Sequence, residues 1–207
     1  MGTEYAVSMG ILQRLGQERL QRQQKQEQIR INHLAKNHHI INLPDGSKCH
    51  CLHLYYSVHR HGYDIPDDAM EFRRNIYAFK DGSSLGWFKF AREVVAMLQE
   101  LYGEQLTDMC FCTAQATTQY SAEQRFKKFC EYICEKTSMT NGFEYIKVNF
   151  QSDRQIRDLI IEPIVKGKQI ILLDDITTTG WTLSSIRKQL LEASAVSVDC
   201  FAIGYTV

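Results

Sequence analysis

The chain has 207 residues, 44% apolar and 23% charged, with 24 Lys and Arg against 24 Asp and Glu, so its formal charge is zero. This length and balance suit one domain with its own core plus an appendage. They exclude bulk electrostatic attraction to nucleic acid, leaving only a local patch for such a role. No apolar run approaches membrane-spanning length. The N-terminus, MGTEYAVSMGILQRLGQ, has no signal-peptide core, and Ala6 stands where a myristoylation signal after Gly2 wants Ser or Thr. Seven scattered cysteines read as free thiols used as small hydrophobes, which predicts a reducing, cytoplasmic setting.

Residues 8–37 are Gln- and Arg-rich, free of Pro, and built from good helix formers. Ile11, Leu12, Leu15, Leu20, Ile29 and Leu34 give a thin apolar stripe. The expectation is a long, largely solvated helix, an N-terminal extension over 1–40, docking through one edge or pairing with a partner. Six Lys and Arg against two Glu also leave open a DNA-contacting helix. The main domain is expected over 41–207. After the PDG turn, Cys49 to Val58 reads as a strand. DIPDDAMEFRRNIYAFKDG opens with Pro66 and two acids and closes on Asp81-Gly82, the marks of a helix. In the next helix, Phe88, Ala91, Val94, Val95, Leu98 and Leu101 keep the 3.6-residue period before Gly103.

The remainder alternates. TDMCFCTA is a strand and SAEQRFKKFCEYICEKT a helix with Phe126, Phe129, Cys130 and Ile133 on one face. EYIKVNF is a strand, SDRQIRDLIIEPIVKGK a loop with some helix, QIILLD a buried strand, TLSSIRKQLLEAS a helix and VSVDCFAIGY a strand. Such alternation predicts an α/β fold, a parallel sheet with helices on both faces.

All seven histidines fall between His33 and His61, together with Cys49 and Cys51. Strand alternation would put Cys49, Cys51 and His53 on one face as a three-ligand metal set; the plainer reading is a strand of small thiols and surface imidazoles.

The sharpest stretch is IILLDDITTTGWT, residues 170–182. A buried strand runs into Asp174 and Asp175, and the next six residues turn into a helix. Its N-terminus offers unpaired N–H groups and the positive end of the dipole, a phosphate site, and Gly180 allows close approach of the backbone. Thr177, Thr178, Thr179 and Thr182 add hydroxyls without charge. Two acids beside a phosphate make sense if they accept bonds from hydroxyls, or hold Mg²⁺ through water, a short way off. A ribose 5-phosphate has both halves. The plain alternative is a capped helix start with nothing bound.

This stretch resembles the phosphoribosyl-diphosphate (PRPP) motif of the type I phosphoribosyltransferases. The wider pattern is most similar to their ComF-like branch, which is linked by name to DNA uptake. RRNIYAFKDGSSLGWFKFAREVVAMLQELYG resembles that branch's entry helices, and DMCFCTAQATTQYSAEQRFKKFCEYI its first core strand, pyrophosphate loop and following helix. With residues 170–207, roughly two-thirds of the chain fits. The resemblance implies a type I phosphoribosyltransferase fold. Asp174 and Asp175 would hold the ribose hydroxyls, and Thr177, Thr178, Thr179, Gly180, Trp181 and Thr182 would wrap the 5-phosphate. Ala114, Gln115, Ala116 and Thr117 would form the pyrophosphate loop. The cations Arg125, Lys127, Lys128, Arg154 and Arg157 would face the diphosphate, with Arg125 and Arg154 counted beside the two acids as catalytic. Mg²⁺ would enter with PRPP, and a nitrogen nucleophile would displace pyrophosphate. The segment 41–66 would be the hood over that acceptor, its tyrosines stacking on the ring. A homodimer is common in the family. A second expectation is a PRPP- or nucleotide-sensing protein without turnover, acting with DNA or DNA-processing partners. The chain departs from the branch in three places: KCHCLH replaces paired CxxC motifs, QRFKKF replaces an RGFNQ run, and Thr178 stands where oxopurine enzymes carry an Asp base.

Overall fold

The computed structural model describes residues 2–57, 65–114, 119–148, 159–161 and 163–207. The elements in order are α1 (Gly2–Lys36), β1 (His39–Asn42), β2 (Lys48–Tyr55), α2 (Asp67–Lys80), α3 (Ser84–Tyr102), a 3₁₀ turn (Gly103–Asp108), β3 (Met109–Thr113), α4 (Gln119–Thr137), β4 (Thr140–Asn141), β5 (Ile146–Val148), β6 (Leu159–Ile161), β7 (Gln169–Thr177), α5 (Trp181–Glu192) and β8 (Ser197–Thr206). Six strands form one sheet in the order β1-β2-β8-β7-β3-β4. Every neighbouring pair is parallel except β1–β2. β5 and β6 make a separate antiparallel ribbon.

The sheet is covered on both faces, as the unbroken apolar run of β7 requires. On the first face Phe111, Ile171, Leu173, Phe201 and Ile203 pack against α2, α3 and α4, with Ala35 of α1 joining them. On the second, Cys110, Ile170, Leu172 and Cys200 pack against Leu183, Ile186 and Leu190 of α5. β3 therefore leads into a helix on one face and its neighbour β7 into a helix on the other. The chain's course reverses between them, and in open parallel sheets the crevice at such a point, outside the carboxyl ends of the strands, is where ligands sit.

Side-chain alternation slips by one residue across three strands at the same level. The ladder joins Cys51 to Ala202 and His53 to Gly204, and likewise Asp174 to Ala202 and Ile176 to Gly204, passing over Leu52, Asp175 and Ile203. As a result Leu52 and His53 both turn to the first face, and so do Asp175 and Ile176. A bulge-like step of this kind re-aims every side chain beyond it.

The slip overturns the metal set expected at Cys49, Cys51 and His53. Both thiols are buried on the second face, while His53 stacks on Phe72 at 4.4 Å on the first. Among the described residues no group of three or more His, Cys, Asp or Glu side chains is placed to hold a metal ion. The face of α3 also differs from expectation: Phe88 and Leu101 are exposed, and the fully buried apolar side chains are Phe90, Ala91, Val94, Met97 and Leu98. Phe88 instead joins Trp87 and Tyr132 in an aromatic cluster, 5.2 Å from Tyr132. The face expected on α4, Phe126, Phe129, Cys130 and Ile133, is fully buried.

From residue 13 onward, α1 docks only through its end. Residues 13–26 are exposed without interruption, Leu15 and Leu20 among them, and Ile31 and Ala35 are the buried anchors. Among the described residues no helix is long and apolar enough to cross a membrane.

Candidate functional site

β7 extends through Thr177, so both acids still belong to the strand. Asp174 lies on the second face, half-buried. There it helps push up the Cys49 thiol, which its contact with Cys51 raises most and burial next. Asp175 is 6% exposed and turns to the first face. Its Oδ2 accepts from Arg125 Nη1 at 2.6 Å, and its Oδ1 accepts the Ile176 backbone N–H at 2.6 Å and lies 3.7 Å from Lys80 Nζ. The Asp175 N–H donates to Asp174 Oδ1 at 2.8 Å. The carboxylates thus satisfy the backbone where the ladder steps over Asp175.

Arg125 stands on the first turns of α4, which follows β3, and Lys80 is the last residue of α2. The structure brings these two cations from separate elements to one carboxylate at the carboxyl edge of the sheet. Lys80 escaped the sequence reading as a site residue. Its signal was there in the FKDG run, where the helix signature places a lysine beside the stop.

The loop after β7 turns at Gly180, which has φ +74° and precedes the first residue of α5. No side chain caps α5, so its first-turn amides are open for a ligand, the arrangement that favours a phosphate. Thr178 and Thr179 are exposed, Thr182 is half-buried and Thr177 is buried. The Thr178 hydroxyl donates to Thr206 Oγ1 at 3.0 Å, which ties the loop to the end of β8. Trp181 is 68% exposed and belongs to neither core. The β1–β2 turn packs under this loop: Leu43 and Pro44 fill the space beside Gly180, and Asp45 Oδ2 accepts from Arg187 Nη1 of α5 at 3.0 Å. That is where the expected hood begins.

Ala114 remains part of the ladder. Its N–H donates to Leu173 O at 2.8 Å, so this amide is not available to a diphosphate oxygen. Gln115, Ala116 and Thr117 lie outside the described residues, as do Arg154, Arg157, His59 and His61. Lys127 and Lys128 are exposed on α4.

Three of the described histidines, His38, His50 and His53, have structural partners. His38 Nδ1 donates to the Ala35 carbonyl at 2.8 Å, which leaves its Nε2 to accept from His50 Nδ1 at 2.7 Å, and His50 stacks on Phe201. His53 Nε2 bonds Glu93 Oε2 at 2.8 Å. All seven cysteines are free and buried. Burial pushes the Cys200 and Cys134 thiols up to about 12, and Cys130 well up, so these thiols stay protonated at neutral pH.

No protein-family model matches the chain, and no curated protein matches it.

Proposed function

We propose that the chain is a phosphoribosyltransferase-type protein of the type I fold, ComF-like, that binds PRPP with Mg²⁺ and transfers phosphoribose to a nitrogen acceptor. One observation carries this reading: a Thr-Gly loop at an uncapped helix N-terminus stands next to two carboxylates and two cations, at the carboxyl edge of a parallel sheet where the chain reverses its winding. A phosphorylated sugar with a second anionic end is the ligand such a row suits. The 5-phosphate takes the open amides after Gly180 and the hydroxyls of Thr178, Thr179 and Thr182. The acids lie next along the strand, then Arg125 and Lys80.

The donors at this edge are carboxylate and hydroxyl oxygens, which fit a hard cation carried in on a diphosphate; the buried thiols of the second face do not. Asp174 and the loop hydroxyls would border such an Mg²⁺, which would supply neutralisation of the diphosphate charge. The protein's own share is positioning. Arg125 and Lys80 stabilise developing negative charge at one end, while the helix N-terminus holds the other end fixed. The exposed Trp181 and the β1–β2 turn border the phosphate end.

Calorimetric titration of PRPP with and without Mg²⁺, followed by a pyrophosphate-release assay against a panel of nucleobases, tests this. Mg²⁺-dependent binding with release is the expected result. Absence of binding would overturn the reading. Binding without release favours the second one, a PRPP- or nucleotide-sensing protein acting with DNA-processing partners. The uncovered stretch of α1 supports that alternative: residues 13–26 carry four Lys and Arg against one Glu and are exposed throughout.

A further inference from the structure

Asp175 does not have the surroundings of a sugar ligand. It is 6% exposed, and both of its oxygens already accept hydrogen bonds, one from Arg125 Nη1 and one from the Ile176 N–H, each at 2.6 Å. A ribose hydroxyl would have to add to an oxygen already bonded, on a carboxylate almost out of solvent, whereas Asp174 beside it is more exposed. The ladder slip is what turns Asp175 away from the face of Asp174, so the two adjacent acids serve different surroundings.

The cations around Asp175 are in excess. Lys80 Nζ lies 3.7 Å from Oδ1 and Arg125 Nη1 2.6 Å from Oδ2, two positive charges against one carboxylate. Arg125 Nε is buried and has no hydrogen-bond partner among the described residues. The guanidinium is fixed on one side by Asp175 and lies over the Phe126 ring, 5.8 Å from its centroid. A planar fork held through one nitrogen, with a second N–H unmatched and an ammonium alongside, is complementary to an oxyanion carrying several acceptor oxygens.

We propose that Asp175 is a positioning residue that holds Arg125 and Lys80 as a two-cation seat for a diphosphate-type oxyanion, and that the sugar hydroxyls fall to Asp174. The assignment of the seat to one end of a phosphorylated sugar rests on the phosphoribosyl reading; the seat itself rests on the geometry around Asp175.

The test uses two half-ligands, inorganic diphosphate and ribose 5-phosphate, each titrated calorimetrically with Mg²⁺ into the full chain. Asp175→Glu keeps the charge and shifts its position, so electrostatic attraction is held nearly constant while placement changes. Diphosphate affinity is expected to fall about tenfold in Asp175→Glu, Lys80→Met and Arg125→Met, with ribose 5-phosphate affinity staying within about threefold. Asp174→Glu should do the reverse. Melting curves establish that each variant folds. If the buried Asp175→Glu does not, Lys80→Met, at a side chain one-third exposed, carries the test with Arg125→Met. Loss of ribose 5-phosphate binding in Asp175→Glu with diphosphate binding intact would return Asp175 to the sugar and overturn the proposal. So would unchanged diphosphate affinity in both cation variants. Should wild-type protein bind diphosphate in the expected pattern but not ribose 5-phosphate, the seat stands and the phosphoribosyl reading falls. If neither binds, both fall.

Discussion

At Gly180 two demands meet. The backbone is left-handed, φ +74° and ψ 1°, and the place of a first side-chain carbon is already taken by Leu43 Cδ2, with Pro44 Cδ 3.2 Å away. An L-residue pays about 1–2 kcal/mol for that conformation alone. Gly180→Ala is therefore expected to destabilise the protein by about 2 kcal/mol in denaturant melts, the methyl overlap adding to the backbone term. Because Leu43 is the flexible neighbour, the double variant Gly180→Ala with Leu43→Ala should cost at least about 0.5 kcal/mol less than the two single costs together. Strict additivity would show that the Leu43 contact is not the obstacle. Gly204 poses a different problem. Its backbone is unremarkable in hand, but an added Cβ would stand 2.8 Å from Phe72 Cζ, and Phe72 stacks on His53. Gly204→Ala should cost about 1–3 kcal/mol and disturb the Glu93 network behind that ring.

That network fastens one element to the rest. Glu93 of α3 is fully buried, accepting from Arg30 Nη2 of α1 at 2.6 Å and from His53 of β2 at 2.8 Å, while Arg30 also grips Glu27. Burial works to raise the Glu93 pKa, but the bonds from His53 and Arg30 outweigh it and hold the carboxyl below its ordinary value. His50 and His39 are held below the ordinary imidazole value, by burial first and neighbouring charge second. All three shifts are depressions. The stability they contribute is full above the unfolded values, near 4.5 for Glu93 and 6.5 for the imidazoles, and is lost as pH falls through the lower folded values. Acidification from pH 7.5 to 5 crosses only the imidazole window, so it should loosen the docked turn of α1 through the His50–His38–Ala35 contact before the sheet, while the Glu93 contribution holds until the pH falls below 4.5. Faster amide exchange, corrected for intrinsic rate, at residues 31–36 than in β7 is the expected signature; equal protection at both pH values would rule it out. Arg30→Ala should cost up to about 3 kcal/mol by leaving Glu93 with His53 alone. None of this was legible from the sequence, because it depends on His53 facing α3. Strand alternation put His53 with Cys49 and Cys51, and the cross-strand slip reverses it. The same slip hid the different surroundings of Asp174 and Asp175. Periodicity did reveal β7, α4 and α5, whose apolar patterns are long and bounded by turn residues. It could not reveal β4 or β6, two and three residues long, which exist only through their neighbours. On α3 a helical period was legible but its phase was not: Phe88 and Phe90 are equally apolar, and only packing against α2 and the sheet selects Phe90.

Over the whole molecule, the site and the exposed stretch of α1 are built to be separable. The site draws on β7, α2, α4 and α5, all tied into the two cores, whereas from residue 13 onward α1 meets the domain through residues near its end, Gln28, Arg30, Ile31 and Ala35 among them. A 35-residue helix is about 52 Å long, so most of it lies beyond that anchor. Removing residues 1–26 takes away no buried side chain among those described from residue 13 onward, and it keeps Glu27, Arg30 and the docked turn. The truncated protein should melt within about 3 °C of the full chain, since surface changes of this kind stay within about 0.5 kcal/mol. Its affinity for PRPP should be unchanged. Nucleic-acid binding separates the two functional readings. The deleted stretch from Gln13 to Gln26 has a net charge of +3 on a chain that is neutral overall, enough for weak, sequence-independent contact with phosphates. If the sensing reading holds, fluorescence anisotropy with a short DNA duplex at low salt will show binding by the full chain that weakens steeply with salt and disappears in the truncation. If the full chain fails to bind the duplex while PRPP turnover proceeds, the transferase reading stands by itself and the exposed helix has to be assigned to a protein partner. Binding that survives the truncation would place the contact on the domain instead, where Lys127 and Lys128 on α4 are exposed cations two and three residues after Arg125.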